Sequence, residues 1–496
     1  VRRLLQRAVL RTRSLPGAAA LYRGGYRGAA AVAARALAAV PGVEAVVLHR
    51  GMTRDDFTPG VSDIDLLLVL EERAAAAAAD LLPRLDARLR ALRAALPPLG
   101  DAWAGSRAEI RSYLRWGGLR AWEDAPAWRT LRGVAPAPEP SRESPAKRGV
   151  LDPWVWAFIS YMDVSRRFFA AGDDLPEKRA ADARKLWADA RRCADAVVLG
   201  RPPVDRVRAR RDAVAASLES ASVRELWLDA ALRLREASGA ALARVGSGTE
   251  AFRLPPPGQP AAAASLARLR AAVPAARLAV WDPPYHRYLV LRDGAQADDY
   301  LSAARAFEAQ RGPGVPLVLD AASWALALQS SYLGAPLGWA SGGEGRGSDG
   351  GARLFPCWTS SAAGDQPDEL PSLDAGLARE TAAEAASWMA LWWRSLWIGS
   401  GWSNRFVLHH LYTRALGLSA ALDGQPSGPF CDWELLLARA AARRPDEARS
   451  LLAARKHLLG ETDAALDSDD RSRLSPAHLP AVQRLMTGLS ARVASL

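Results

Sequence analysis

Two acidic residues open an otherwise apolar run, Ser62-Asp63-Ile64-Asp65-Leu66-Leu67-Leu68-Val69-Leu70. A short apolar run behind turn residues reads as a buried strand, and alternate side chains of a strand share a face. Asp63 and Asp65 therefore project to the same side, where two like charges are unfavourable unless a cation stands between them. Hard oxygen ligands suit Mg²⁺ or Mn²⁺. The pattern points to a metal site. The bland alternative, an acidic strand end that holds nothing, leaves carboxylates desolvated without compensation. Just upstream, the apolar stretch 43–48 runs into His49-Arg50-Gly51-Met52-Thr53-Arg54. Gly51 leads from this strand end into the turn-rich loop before Asp63. His49 reads as a structural strand-end residue.

These residues need a scaffold. A small-residue helix is expected over 28–40, stopped by Pro41-Gly42. A strand at 43–48, the turn Thr58-Pro59-Gly60 and a strand at 63–70 follow. A long helix is expected over 71–96, with Pro83 as a kink or division. Past Pro97-Pro98, a third strand is read at 100–104, and Ser106-x-x-Glu109 forms a capping box opening a helix through Arg120. The order helix, strand, strand, helix, strand, helix is an α/β unit with a small mixed sheet. Beyond the proline-rich stretch 136–146, helical spacing recurs at 154–169, 176–199, 204–218 and 223–245, which suggests a bundle. After a second linker at 254–260 (LPPPGQP), strands at 277–280 and 288–291 flank Asp282-Pro283-Pro284 as a hairpin. A helix at 295–310 and a strand at 315–319 complete a second small α/β segment, to which no chemistry is assigned. Two α/β stretches, each followed by helices, suggest an old duplication whose second copy has lost its metal-binding strand. The stretch 341–351 (SGGEGRGSDGG) reads as flexible, and the remainder from about residue 373 as mostly helical, with a loop at 423–429.

Composition sets broad bounds. The chain has 496 residues, 49% hydrophobic and 24% charged, as in a folded multidomain protein. Its net charge of +11 comes mostly from Arg in a sequence also rich in Ala. This is a chain-wide bias, so a polynucleotide partner is not the favoured reading. Cys193, Cys357 and Cys431 have no CxxC spacing. Neither a disulfide framework nor a zinc site is expected, and a cytoplasmic setting is the simpler one. No apolar run approaches the roughly 20 residues needed for a membrane span. The basic, amphipathic opening VRRLLQRAVLRTR is read as a surface helix rather than a targeting or membrane-surface one.

With Gly51 after an apolar strand, residues 53–62 as spacer and Asp63-Ile64-Asp65-Leu66 on the next strand, the stretch resembles the nucleotidyltransferase superfamily, the DNA polymerase beta-like fold. Pro59-Gly60-x-Ser62-Asp63-x-Asp65 is similar to bacterial minimal nucleotidyltransferase domains. The resemblance covers about the first 130 residues. It implies an α/β nucleotidyltransferase-like domain over 1–135, with a helical domain at 150–250, the small α/β segment at 261–340 and a C-terminal helical domain at 370–496. It further implies Mg²⁺ (or Mn²⁺) on Asp63 and Asp65, an NTP cradled around Gly51, Met52, Thr53, Arg54 and Ser62, and transfer of an NMP to an acceptor hydroxyl. The acceptor is unassigned, with a small molecule or protein favoured. The family's third carboxylate lies on the next strand, where Asp101 is expected as metal ligand or base and Glu109, explained by its capping box, competes. Met52 departs from the pattern, which usually has Ser there. A thioether cannot donate to phosphate, so Thr53 is the expected substitute, and a catalytically weakened nucleotide-binding or protein-interaction module is the alternative.

Trp388, Trp392, Trp393 and Trp397 crowd one helix, read as bundle core in preference to an aromatic wall for a base or sugar. Adjacent His409 and His410 diverge on a helix and are read as packing or surface residues. Arg405 and His410 have a spacing similar to that of HEPN-type partners, but Phe406 stands where that family has a polar residue, so RNase activity is discounted.

Overall fold

The structure, a computed structural model, describes residues 2–53, 57–136, 150–169, 175–215, 221–245, 247–253, 263–282, 286–310, 315–330, 361–364, 369–398 and 479–496, with scattered positions between 418 and 449. It is a mixed α/β protein, mostly helical, with two small mixed sheets and a separate two-stranded ribbon. Arg54, the central parts of both proline-rich linkers, the 341–351 stretch, Trp402, Arg405, Phe406, His409 and His410, and nearly all of the 423–429 loop lie outside the described residues.

Helices α1 (Arg2–Thr12) and α2 (Ala18–Ala38) lead into β1 (Val43–His49). Helix α2 starts upstream of the expected 28–40 because Gly24, Gly25 and Gly28, poor helix formers, lie within a run whose remaining residues carry the helix. Strand β2 (Ile64–Leu70) follows the turn, and α3 (Glu72–Ala76) and α4 (Ala78–Ala95) connect it to β3 (Leu99–Ser106). The expected long helix is divided, but at Ala77, upstream of Pro83, which α4 accommodates. The capping box is present: Glu109 N–H donates to Ser106 Oγ at 3.3 Å, and Ser106 N–H to Glu109 Oε2 at 2.8 Å. It opens α5 (Arg107–Trp116), and a break at Gly117 separates α6 (Gly118–Asp124). A fourth strand, β4 (Arg129–Arg132), has an exposed, charged sequence without the alternation that would announce it. The sheet order is β3-β2-β1-β4, with β2 parallel to β3 and the other pairs antiparallel.

The expected bundle is α7 (Leu151–Phe169), α8 (Pro176–Leu199), α9 (Arg206–Ala215) and α10 (Val223–Leu242). Strand β5 (Ser247–Arg253) and α11 (Ala263–Ala271) precede the second sheet, which comprises β6 (Ala276–Asp282), β7 (His286–Leu291), β8 (Val315–Asp320) and β9 (Ser361–Gly364). Helix α12 (Ala297–Ala309) connects β7 to β8, and α13 (Ala321–Ser330) follows β8. Strand β10 (Glu369–Leu373) pairs with β5 before α14 (Ala375–Trp397), and α15 (Leu479–Ala494) ends the chain. One hydrophobic cluster runs through both sheets, the bundle and the C-terminal helices.

A buried ionic network ties the first sheet's unit to the bundle. Arg192 of α8 makes a bidentate pair with Glu123 of α6, and Arg192 Nε donates to Asp189 at 3.2 Å. Asp189 also accepts from Arg206 Nε at 3.0 Å and Arg210 Nη2 at 2.7 Å. Burial works against its charge, but Arg206 and Arg192 hold Asp189 below the usual carboxylate range. Asp189→Ala would remove a buried acceptor shared by three guanidinium groups. An expected loss of about 3–5 kcal/mol, the usual scale for breaking one side of a buried pair, is measurable by urea denaturation at neutral pH. A loss under 1 kcal/mol, the scale of exposed pairs, contradicts it.

Candidate functional site

The β1–β2 connection is turned sharply. Arg50 adopts φ 63°, and it is the one non-glycine with positive φ among the described residues. For a residue with a Cβ this conformation is strained. The 3-10 turn Arg50–Thr53 is closed by Thr53 Oγ1, which donates to Arg50 O at 2.7 Å. Further on, Thr58 N–H donates to Ser62 Oγ at 3.0 Å, and Ser62 N–H to Thr58 O at 2.9 Å. Ser62 is thereby folded back toward the turn: its Cβ lies 4.0 Å from where a side chain on Gly51 would begin.

Asp63 stands immediately before β2 and Asp65 inside it, with Asp65 opposite His49 of β1. Both side chains face Gly100 of β3. A Cβ at Gly100 would sit 2.8 Å from Asp63 Cβ and 2.8 Å from Asp65 Oδ1. Only a glycine fits here, because the Asp63 and Asp65 side chains pack directly against the Gly100 backbone, and Asp101 N–H donates to Asp65 Oδ1 at 3.2 Å. Arg93 fixes this part of β3 from α4, its Nη2 donating to Gly100 O at 2.7 Å.

Cations ring Asp65. Burial raises its pKa and the Asp101 carboxylate adds to the rise, whereas Arg50 and Lys185 oppose it. Arg50 Nη1 lies 3.8 Å from Asp65 Oδ2. Lys185, on the buried side of α8, places Nζ 3.9 Å from the Gly51 Cβ position; burial and then Arg206 lower its pKa. Arg120 of α6 is held by aromatic faces, 5.2 Å above Trp103 and 4.6 Å above Trp156, and Arg50 lies 5.3 Å from the same Trp103 ring. Arg120's ionic partner Asp124 is 4.0 Å away. Burial and the charge of Arg50 both act against Arg120's charge, a tension that an anion would relieve. His49 is buried against Trp103, the structural role expected of it.

The expected site residues divide accordingly. Gly51, Ser62, Asp63, Asp65 and Asp101 come together. Thr53 does not serve as the expected phosphate donor, because its hydroxyl is engaged inside the turn. Met52 is partly buried, packed against the hydrophobic core. Glu109 is occupied by its capping box and by Arg394 of α14, whose Nη1 lies 2.8 Å from Oε2. It is thus no rival to Asp101. The tryptophans of α14 behave mainly as core: Trp392 and Trp393 are buried, and Trp388 stacks on Trp392. Lys185 and Arg120 were missed in the sequence. No local motif marks them, and only the docking of α8 and α6 brings Lys185 to Gly51 and Arg120 to the Trp103 ring beside Arg50.

Among the described residues, no group of three or more His, Cys, Asp or Glu side chains is disposed to hold a metal ion. The expected three-carboxylate set thus reduces to the pair around Gly100. That pair still fits Mg²⁺ or Mn²⁺, since Mg²⁺ is commonly held by one or two carboxylates with water and substrate phosphates completing its shell. Among the described residues, no helix is long and apolar enough to cross a membrane. No family model, curated protein or solved structure matches the chain.

A carboxylate whose pKa is raised on folding destabilises the fold once ionised, and the penalty disappears as pH falls through the folded-state value. Asp65→Asn is therefore expected to match or exceed the wild-type melting temperature at neutral pH, with the gap closing as the buffer is acidified. Thermal melts across pH check this, and a variant less stable at neutral pH contradicts it.

Proposed function

We propose that the chain is a metal-dependent nucleotidyltransferase with a polymerase beta-like first domain, moving an NMP from an NTP to an acceptor hydroxyl with release of pyrophosphate. The observation that carries this reading is the packing of Asp63 and Asp65 side by side against Gly100, beside a turn strained at Arg50 whose Gly51 is faced by Lys185. Supporting it are the mixed β3-β2-β1-β4 sheet and the surplus of cations around a buried acid. A divalent ion on Asp63 and Asp65 would supply Lewis-acid stabilisation of charge at the phosphorus.

The chain's own groups divide the remaining work. Backbone N–H groups after Gly51 and the Lys185 ammonium bind phosphate oxygens, and Arg50 orients Asp65 while adding positive charge. Ser62 replaces the missing hydroxyl of Met52. Its oxygen accepts from Thr58, and its proton is available to a phosphate. Asp101, exposed at the edge of the site, takes the proton from the incoming acceptor hydroxyl. The Arg120–Trp103–Trp156 stack forms a wall that fits a planar base or an anionic group. The acceptor is a small molecule or protein, entering from the Asp101 side.

The second reading, a nucleotide-binding or protein-interaction module with weakened turnover, is favoured by one observation, the burial of Met52 against the core.

Incubation with labelled NTPs, Mg²⁺ and a panel of acceptor hydroxyls tests the proposal. Asp63→Asn with Asp65→Asn is expected to abolish Mg²⁺-dependent nucleotide binding and transfer, and binding that survives the pair unchanged removes the metal site. Lys185→Met is expected to weaken Mg·ATP binding about tenfold, the scale of one charge-assisted hydrogen bond, without loss of fold by circular dichroism. Met52→Ser separates the two readings. A gain in turnover identifies a weakened enzyme, whereas an active wild type that the serine does not improve supports Ser62 as the donor.

A further inference from the structure

The second α/β unit repeats the first strand for strand. Its order is β8-β7-β6-β9 against β3-β2-β1-β4, with β7 parallel to β8 and both other pairs antiparallel, as in the first sheet. In each unit helices connect the second strand to the third, and the third strand ends on the residue that caps the following helix. Ser106 accepts from Glu109 N–H at 3.3 Å, and Asp320 accepts from Ser323 N–H at 3.3 Å. The registers match as well. Ser106 lies opposite Leu70 and Asp320 opposite Leu291, while His49 pairs with Asp65 and Asp282 with His286.

The helices that follow each unit cover the other unit. Strands β3 and β8 are both sheet edges, whose open backbone needs a cover. Over β8 lies α7, from the first half, with Tyr161 Oη donating to Val318 O at 2.6 Å. Over β3 lies α14, from the second half, with Arg394 Nη1 donating to Ala104 O at 3.3 Å. Ala104 and Val318 occupy the same place, two residues before Ser106 and Asp320. The equivalent carbonyl is thus bonded in each unit, each time by a helix from the opposite half. A buried tie reinforces each crossing: Arg394 to Glu109 on one side, and Trp154–Ser238–Ser323 on the other, with Trp154 Nε1 to Ser238 Oγ at 2.8 Å and Ser238 to Ser323 at 2.8 Å.

We infer that the chain is an intramolecular dimer of one duplicated α/β–helix module with exchanged helices, in which the second α/β unit is a built-in, chemically silent partner for the first. Its positions cannot repeat the carboxylate site. By register His286 stands for Asp65 and Val315 for Asp101. The partner instead lends a wall to the first site. Trp388 of α14 meets Trp103 edge-to-face at 6.3 Å, and Trp103 carries Arg50 and Arg120 on its ring. The exchange stands on geometry alone, while the statement that only the first unit takes a nucleotide rests on the function proposed above.

The test is made on the full chain carrying a specific protease site inserted in the 254–260 linker. After cutting, the halves are expected to stay together as one species of 53.2 kDa by size exclusion with light scattering. Arg394→Met in the cut chain is expected to raise the concentration at which they separate about tenfold. Halves that separate freely and stay folded by circular dichroism overturn the inference. Mg·ATP titration of the uncut chain is expected to give one site per chain, and two sites overturn the silent partner. A wild type that binds no nucleotide removes the proposed function, and the elution result still decides the exchange.

Discussion

Asp65 is an acid held at the mouth of an apolar strand, and much of the first half of the chain is arranged around the cost of keeping it there. An ionised carboxylate out of water is tolerable only with compensating charge and hydrogen bonds. Here the compensation is incomplete. Asp101 N–H reaches one oxygen at 3.2 Å and Arg50 lies 3.8 Å from the other, yet burial still raises the pKa. Gly100 is what lets the Asp63 and Asp65 side chains pack this closely on β3.

The surrounding cations carry the opposite tension. Arg50, Arg120, Lys185 and Arg206 influence one another across the same volume. Arg206 is balanced by Asp189 and Arg120 is held by indole faces, whereas Lys185 has only more distant acids. The region thus sets the half-buried Asp65 next to cations whose charge is opposed by burial and by one another.

The second α/β unit explains how such a site is kept rigid. Its own sheet needs a cover for β8 and the first sheet needs one for β3, and exchange of helices meets both needs with buried hydrogen bonds from Tyr161 and Arg394. Packed side chains also join the halves, Trp388 meeting Trp103 edge-to-face.

The sequence by itself determined the local features. Strand β2, the capping box at Ser106, the boundaries of α8 and the hairpin β6–β7 follow from apolar runs, cap residues and turn prolines, because those signals act within a few residues of where they are read. The spacing from Gly51 to Asp65 likewise singled out the candidate site. The charged edge strand β4 escaped notice because its pairing with β1, not its own pattern, makes it a strand. Only the tertiary structure decided that Thr53 is spent closing a turn, that Glu109 belongs to Arg394, and that Lys185 and Arg120 reach the site from helices remote in sequence. It alone also decided that the two halves cover each other's edge strands. Those outcomes depend on which surfaces meet, and meeting is settled by burial and charge pairing across the whole fold rather than by spacing along the chain.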